Sequence, residues 1–273
     1  MPWRYIRNVH IALIGCGKMG AALAEAWDNS RLTSRIDIVE PSDLPISSPH
    51  MHHFRQIADM AEARMTPDIV VIAVKPALVS KVCDQLARFL PDSVPVVSIA
   101  AGMTLGTLQK SFPAGQPLIR AMPNTPARIG KGITVAVTKP DIFVTQMHLA
   151  HAALAPTGAV EWVEDESLMD AVTAVSGSGP AYIFYMIECL VKAGLEAGLP
   201  HELASRLARQ TMIGAGALAE ADSHTPPDIL RQNVTSPGGT TEAGLSVLMD
   251  GRWQKILQDS VIKAQTRSRE LSH

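Results

Sequence analysis

Two short glycine-rich stretches carry the residue types from which chemistry is built. The first, GCGKMG, sets Gly15, Gly17 and Gly20 in G-x-G-x-x-G spacing, with Lys18 and Met19 opening a helical pattern. That spacing suits a tight turn at Gly15, close approach of a pyrophosphate at Gly17 and close helix-to-strand packing at Gly20. A glycine turn without a ligand is the alternative. The second, NVTSPGGTTEAGLSVLMDG at residues 233–251, breaks the chain at Pro237, Gly238 and Gly239, ahead of helical apolar spacing at Ala243, Leu245 and Leu248. A tight turn placed there leaves backbone N–H groups without helical partners, and such a helix end can hold an anion.

A third candidate stands twenty positions past Gly20, where the run IDIV ends at Glu40. A carboxylate at that place accepts hydrogen bonds from both hydroxyls of an adenine ribose and repels a 2′-phosphate, which leans toward NADH over NADPH. The other reading open to it is that Glu40 solvates a strand end while Arg55 or another cation meets a phosphate.

These residues need a scaffold, and the hydrophobic periods describe one. From residue 9 to about 163, β-type runs such as VHIALI, DIVVIAV, VPVVSIA and GITVAV alternate with amphipathic helical stretches such as KMGAALAEAW and ALVSKVCDQLARFL. Continuous apolar strands separated by helices imply an α/β, doubly wound and mostly parallel sheet covered on both faces. After about Ser167 the strands stop, and helices follow, broken at Gly-Pro, Gly-Leu-Pro, Pro-Pro and Pro-Gly-Gly. The expected domains are 1–163, binding a dinucleotide, and 164–273, all helical.

Within the helical part, Tyr182, Ile183, Phe184, Met186, Ile187, Leu190 and Val191 leave little room for a solvent face. A partner subunit covering part of that surface is expected, the alternative being the buried central helix of a monomer. PAYIFYMIECLVKAG, cut by Glu188 and Lys192, reads as too short to span a bilayer.

Net charge is −2 with dispersed Lys and Arg, which argues against nucleic acid as a partner. Cys16, Cys83 and Cys189 are far apart and odd in number, as expected of reduced thiols. No apolar leader opens the chain, so a cytoplasmic protein without a membrane segment is expected. Apart from His224, the histidines, with His50, His52 and His53 in a polar Pro/Ser-rich part, read as solvated surface, and no metal site is expected.

Six motifs make the pattern specific: GCGKMG, DIVVIAVKP (68–76), VVSIAAGMTL (96–105), IRAMPNTPARIGKGIT (119–134), AVSGSGPAY (174–182) and NVTSPGGTTEAGL (233–245). In order and spacing they resemble pyrroline-5-carboxylate reductase over nearly the whole chain. The resemblance implies a Rossmann domain followed by a helical dimerisation domain, a homodimer that in some relatives builds a larger ring of dimers, and NAD(P)H-dependent reduction of a cyclic imine to proline, the last step of proline biosynthesis. It puts Ala73, Val74, Lys75 and Pro76 beside the nicotinamide half of the cofactor. Ala100, Ala101 and Gly102 fall near the ring, with Met122, Pro123, Asn124 and Thr125 along the same crevice. Lys75 is also readable as a plain helix-start residue, and Asn124 as a turn cap.

The precursor of proline is a small ring with one carboxylate. The N–H groups of Gly239, Thr240 and Thr241, with the Ser236 hydroxyl and Gly238 shaping the turn, suit it without any arginine. Thr241 falls nearest the imine nitrogen, as the resemblance also implies; helix capping by Thr240 or Thr241 is the plainer use. Hydroxyacid dehydrogenases of related architecture carry G-x-G-x-x-x-K-x-x-N on the corresponding helix. Counted from Gly177, those lysine and asparagine positions are Ile183 and Met186 here. The missing base argues for imine reduction over alcohol oxidation. One departure is that many relatives have an acidic residue before the Ser-Pro-Gly-Gly where this chain reads ADSHTPPD, offering His224 with Asp222 and Asp228. Competing readings are another Rossmann oxidoreductase, hydroxyacid or deazaflavin-dependent, and a non-catalytic dinucleotide-sensing module.

Overall fold

The computed structural model describes residues 5–30, 32–46, 48–63 and 66–271. Its first part alternates strand and helix: β1 (Val9–Ile14), α1 (Lys18–Asn29), β2 (Thr33–Val39), β3 (Met51–Phe54), α2 (Ile57–Glu62), β4 (Ile69–Ile72), α3 (Pro76–Leu86), β5 (Val96–Ser98), α4 (Leu105–Gln109) and β6 (Leu118–Met122). Then come β7 (Gly132–Thr138), α5 (Val144–Leu154) and β8 (Gly158–Trp162). One sheet holds all eight in the order β3-β2-β1-β4-β5-β6-β7-β8. Pairing is parallel except that β7 runs antiparallel to β6. From β1 the chain moves to β2 on one side and to β4 on the other, so a crevice opens at the carboxyl ends of β1 and β4.

Alternation along the strands fills two cores. Ile11, Leu13, Ile69 and Val71 pack on one face with Leu23 and Trp27 of α1. Ala12, Ile14, Val70 and Ile72 pack on the other with Val79, Cys83 and Leu86 of α3. Strand β3 was not expected, because MHHF lacks a β-branched run and follows a Pro/Ser-rich segment; pairing with β2 recruits it. That placement corrects the reading of the histidines. His53 Nε2 lies 2.7 Å from Glu40 O, and His52 and His53 are half-buried. His10 is buried at the start of β1, where its Nε2 meets Asp37 Oδ2 at 2.7 Å, and Trp162 Nε1 donates to His151 Nδ1 at 3.2 Å. A period-2 pattern shows that a residue points inward but not that a carboxylate waits on the neighbouring strand.

The remainder is α6 (Met169–Val172), a π-turn at Thr173–Gly177, α7 (Gly179–Glu196), α8 (His201–Ala221), α9 (Pro227–Asn233), α10 (Thr240–Leu248) and α11 (Arg252–Leu271). The four Pro/Gly signals read from the sequence mark the starts of α7, α8, α9 and α10, while the break before α11 falls at Met249–Gly251, with Gly251 at φ +93. The chain divides into two compact units: residues up to Ser178 together with the stretch from Ala264 on, and Gly179–Lys263. The sheet itself ends with β8. In the second unit α7 meets α8 through small residues; a Cβ on Gly194 would stand 3.2 Å from that of Ala204.

No residue of α7 is buried, which removes the buried-central-helix alternative. Phe184 is 60% and Tyr185 62% exposed. The length argument against a membrane span also needs correction. The helical run extends over Glu166–Glu196, 31 residues, long and apolar enough to cross a bilayer by length and composition. Against that use, Glu188 and Lys192 interrupt it, and exposed apolar residues recur on the other helices, at Leu207, Ile213, Val247, Ile256 and Ile262. Apolar surface spread over several helices is what a protein partner covers.

Candidate active site

Gly15 ends β1 at φ +94, donating its N–H to Val39 O at 2.8 Å. A Cβ there would stand 2.7 Å from Val74 Cγ1 and 2.9 Å from Ala73 O, so only glycine fits. Gly20 packs α1 onto this turn so closely that a Cβ would fall 2.3 Å from Gly15 O. Gly17 differs: a Cβ on it would meet nothing within 4 Å. It is the N-cap of α1, with no side-chain cap and no acidic residue in the first turn. Lys18 and Met19 are the first two helical residues. The helix therefore presents uncompensated N–H groups to an open space.

Beside this turn lies a cleft of about 760 Å³, lined by Gly15, Gly17, Glu40, Arg55, Ala73, Val74, Lys75, Leu78 and Lys81 among others. Its size suits a small-molecule or cofactor site. Glu40 Oε2 accepts from Cys16 N at 2.9 Å, and Oε1 accepts from Ser42 Oγ at 2.7 Å. Partial burial works to raise its pKa, but these hydrogen bonds and nearby His53 outweigh it and hold the carboxyl below the usual range. Burial and Glu40 together push the Cys16 thiol up. Glu40 is thus a half-buried, hydrogen-bonded carboxylate on the cleft wall at the end of β2. Arg55, also on the cleft wall, makes an exposed ion pair with Asp43 and donates to Pro41 O at 3.1 Å. Lys81 was not singled out by sequence, since a lysine five residues into a helix looks like any solvent-facing one.

Lys75 is the N-cap of α3 and Pro76 its first residue, with Leu78 N donating to Lys75 O at 2.9 Å. Both the helix-start role and a place on the cleft wall therefore hold for Lys75. Ala100, Ala101 and Gly102 follow the end of β5, and Met122 ends β6 with Pro123, Asn124 and Thr125 after it, at the same edge of the sheet. Asn124 does not cap with its side chain. Its Nδ2 donates to Ser176 O at 3.1 Å and its Oδ1 accepts from Ile133 N at 2.9 Å.

In the helical unit, Gly239 N donates to Ser236 O at 3.0 Å, closing a four-residue turn with Pro237 second and Gly238 third at φ +70. That is a type II turn, in which the third residue must be left-handed. A Cβ on Gly239 would stand 2.5 Å from Ser236 Oγ and 3.0 Å from Ser236 O, so a side chain there would crowd the turn. The Gly239 N–H is therefore spent on the turn, which corrects its expected role as an anion donor. Gly238 N donates to Glu242 Oε2 at 2.6 Å. Capping by threonine is also corrected: Gly239, half-buried, is the N-cap of α10, and Thr240 and Thr241, both exposed, are its first two residues. Their N–H groups have no carbonyl one turn back. In the ADSHTPPD segment, Asp222 Oδ1 accepts from Thr225 Oγ1 at 2.8 Å, His224 is exposed, and Asp228 lies in the first turn of α9.

Comparison with known proteins gives two family matches. Residues 166–271 match the model described as pyrroline-5-carboxylate reductase dimerisation, and residues 10–102 match NADP oxidoreductase, coenzyme F420-dependent. Pyrroline-5-carboxylate reductase of Pseudomonas aeruginosa is 36% identical over 271 residues, covering 96% of each chain. The solved pyrroline-5-carboxylate reductase of Coxiella burnetii superposes with TM-score 0.89 at 30% identity, over 98% of this chain and 100% of that one. The Plasmodium falciparum pyrroline carboxylate reductase, solved with NADP bound, gives 0.84 at 28% identity over 98% and 100%.

Proposed function

The chain belongs to the pyrroline-5-carboxylate reductase family, and from that premise we propose how its residues serve the reduction of a cyclic imine to proline with NAD(P)H. Residues 1–163 take the dinucleotide, and 164–273 take the imine and form the dimer. The observation that carries the reading is the pairing, in one chain, of an uncapped glycine-entered helix beside a fixed carboxylate with a type II turn that opens a second helix.

Gly15, Gly17 and Gly20 let the pyrophosphate approach the start of α1, at Lys18 and Met19. The empty space beside Gly17 supports this, since no described residue crowds a side chain there. Glu40 receives the ribose hydroxyls. Held ionised, with Arg55 occupied by Asp43, it disfavours a 2′-phosphate and leans the enzyme toward NADH. Ala73, Val74, Lys75, Pro76, Ala100, Gly102 and Asn124 line the way to the nicotinamide. When bound, the reduced nicotinamide supplies a hydride to the imine carbon. Ser236 Oγ and the N–H groups of Thr240 and Thr241 hold the substrate carboxylate, with Gly238 and Gly239 shaping the turn. Thr241 Oγ1 stands at the imine nitrogen. A protonated imine is already electrophilic, so these residues orient the ring and exclude water rather than transfer a proton from a strong acid.

The exposed apolar helices support a homodimer through the helical domain, with a larger ring of dimers built on it. Three free cysteines support a cytoplasmic setting. Following absorbance of NADH and, separately, NADPH on mixing with pyrroline-5-carboxylate tests the whole reading. Oxidation with a higher kcat/KM for NADH supports it, whereas tight cofactor binding without oxidation favours a dinucleotide sensor or another substrate.

A further inference from the structure

The carbonyl of Ser176 lies in the π-turn Thr173–Gly177, where Ser178 N reaches back to Thr173 O at 2.9 Å. In a continuous α-helix that carbonyl would accept from the N–H four residues on. That residue is Pro180, which has none. The donor comes instead from the end of β6, where Asn124 Nδ2 approaches Ser176 O at 3.1 Å. The same side chain is fixed at its other end, since Ile133 N donates to its Oδ1 at 2.9 Å. Met122, two residues earlier, closes against the same turn: a Cβ on Gly177 would stand 2.7 Å from Met122 Cε. Single π-turns inside helices are frequent at functional sites, because the extra residue re-aims the backbone.

We propose that Asn124 is a positioning residue for hydride transfer: it supplies the hydrogen bond that Pro180 withholds and so fixes the Ser176 backbone against the carboxyl end of β6. The inference rests on the function proposed above, which sets the nicotinamide at that edge of the sheet. It assigns Asn124 an action through the π-turn in addition to its place along the way to the nicotinamide, since its Nδ2 and Oδ1 each hold a backbone partner.

A double-mutant cycle tests it. Asn124→Asp keeps an acceptor for Ile133 N but removes the donor, and Pro180→Ala restores an N–H to the helix. Asn124→Asp is expected to lower kcat about tenfold at saturating cofactor, as a misplaced reacting group does. The NADH dissociation constant, measured by fluorescence, is expected to stay within about twofold, given how little the adenosine side changes. Adding Pro180→Ala is expected to return most of the lost kcat, which a general loss of stability does not do. Should Asn124→Asp not fold, Asn124→Ser in the same cycle reads the same coupling. Wild-type turnover with an unaffected single variant, or a damaged single variant that Pro180→Ala fails to rescue, overturns the proposal alone. A wild-type protein that oxidises neither cofactor overturns the functional reading, and this inference with it.

Discussion

Ile11, Leu13, Ile69 and Val71 of the sheet are wholly buried beneath helices of their own chain, while Ile183, Phe184 and Tyr185 of α7 face outward. The two regions solve the same problem by different means. A sheet flanked by α1, α3 and α5 removes its apolar faces from water by itself. A set of helices whose only buried residues in α7 and α8 are Ala204 and Ala208 leaves most of its apolar area to a partner. At about 25 cal/mol per Å² of apolar surface, leaving it uncovered forfeits much of the stability of the helical part. The sheet region therefore has a core complete in one chain, whereas the apolar faces of the helical region call for a second.

The sharpest way to break that comparison is Phe184→Glu. Burying an unpaired charge costs several kcal/mol, so light scattering is expected to show the mass of one chain, with cofactor binding retained by the sheet. An unchanged mass would place the partner surface elsewhere. Next in size is Thr241→Ala, expected to lower turnover about 10²-fold, the usual worth of a group acting at the reacting atoms. Dinucleotide affinity should hardly change, and unaltered turnover would remove Thr241 from the site.

Within the sheet region, Gly20→Ala and Gly17→Ala separate packing from binding. The first drives a methyl into Gly15 O and should lower thermal stability by about 1–3 kcal/mol, the range for overpacking. The second meets no protein atom, so it should leave the melting temperature in place and weaken dinucleotide binding. Equal destabilisation by both would show that Gly17 has a structural role. The smallest expected effect is Glu40→Ser, raising the NADPH-to-NADH ratio of kcat/KM about tenfold, or roughly 1.4 kcal/mol. The Glu40 carboxyl is held below its usual range, so its contribution is complete above the ordinary carboxylate pKa and fades as pH falls through the lowered value. NADH affinity measured across that acidic range should fall in the wild type and stay flat in Glu40→Gln.

Much of this was legible in the residue order. Period 2 and period 3.6 place β1, β4, β5 and β6 and their helices, because a strand buried on both faces must be apolar throughout. Gly15 and Gly20 announce themselves, because no other residue type survives their φ or their close neighbours. The Pro and Gly breaks set the starts of α7 to α10, because backbone chemistry acts locally. Tertiary structure alone decided what depends on distant neighbours. It recruited His53 into β3 beside Glu40, gave buried His10 the carboxylate of Asp37, and turned Arg55 toward Asp43. It also spent the Gly239 N–H on Ser236 and sent Asn124 to a carbonyl 52 positions away. A sequence shows which donors and acceptors are near one another along the chain, but which pairs satisfy each other is settled only when burial removes water as the alternative partner.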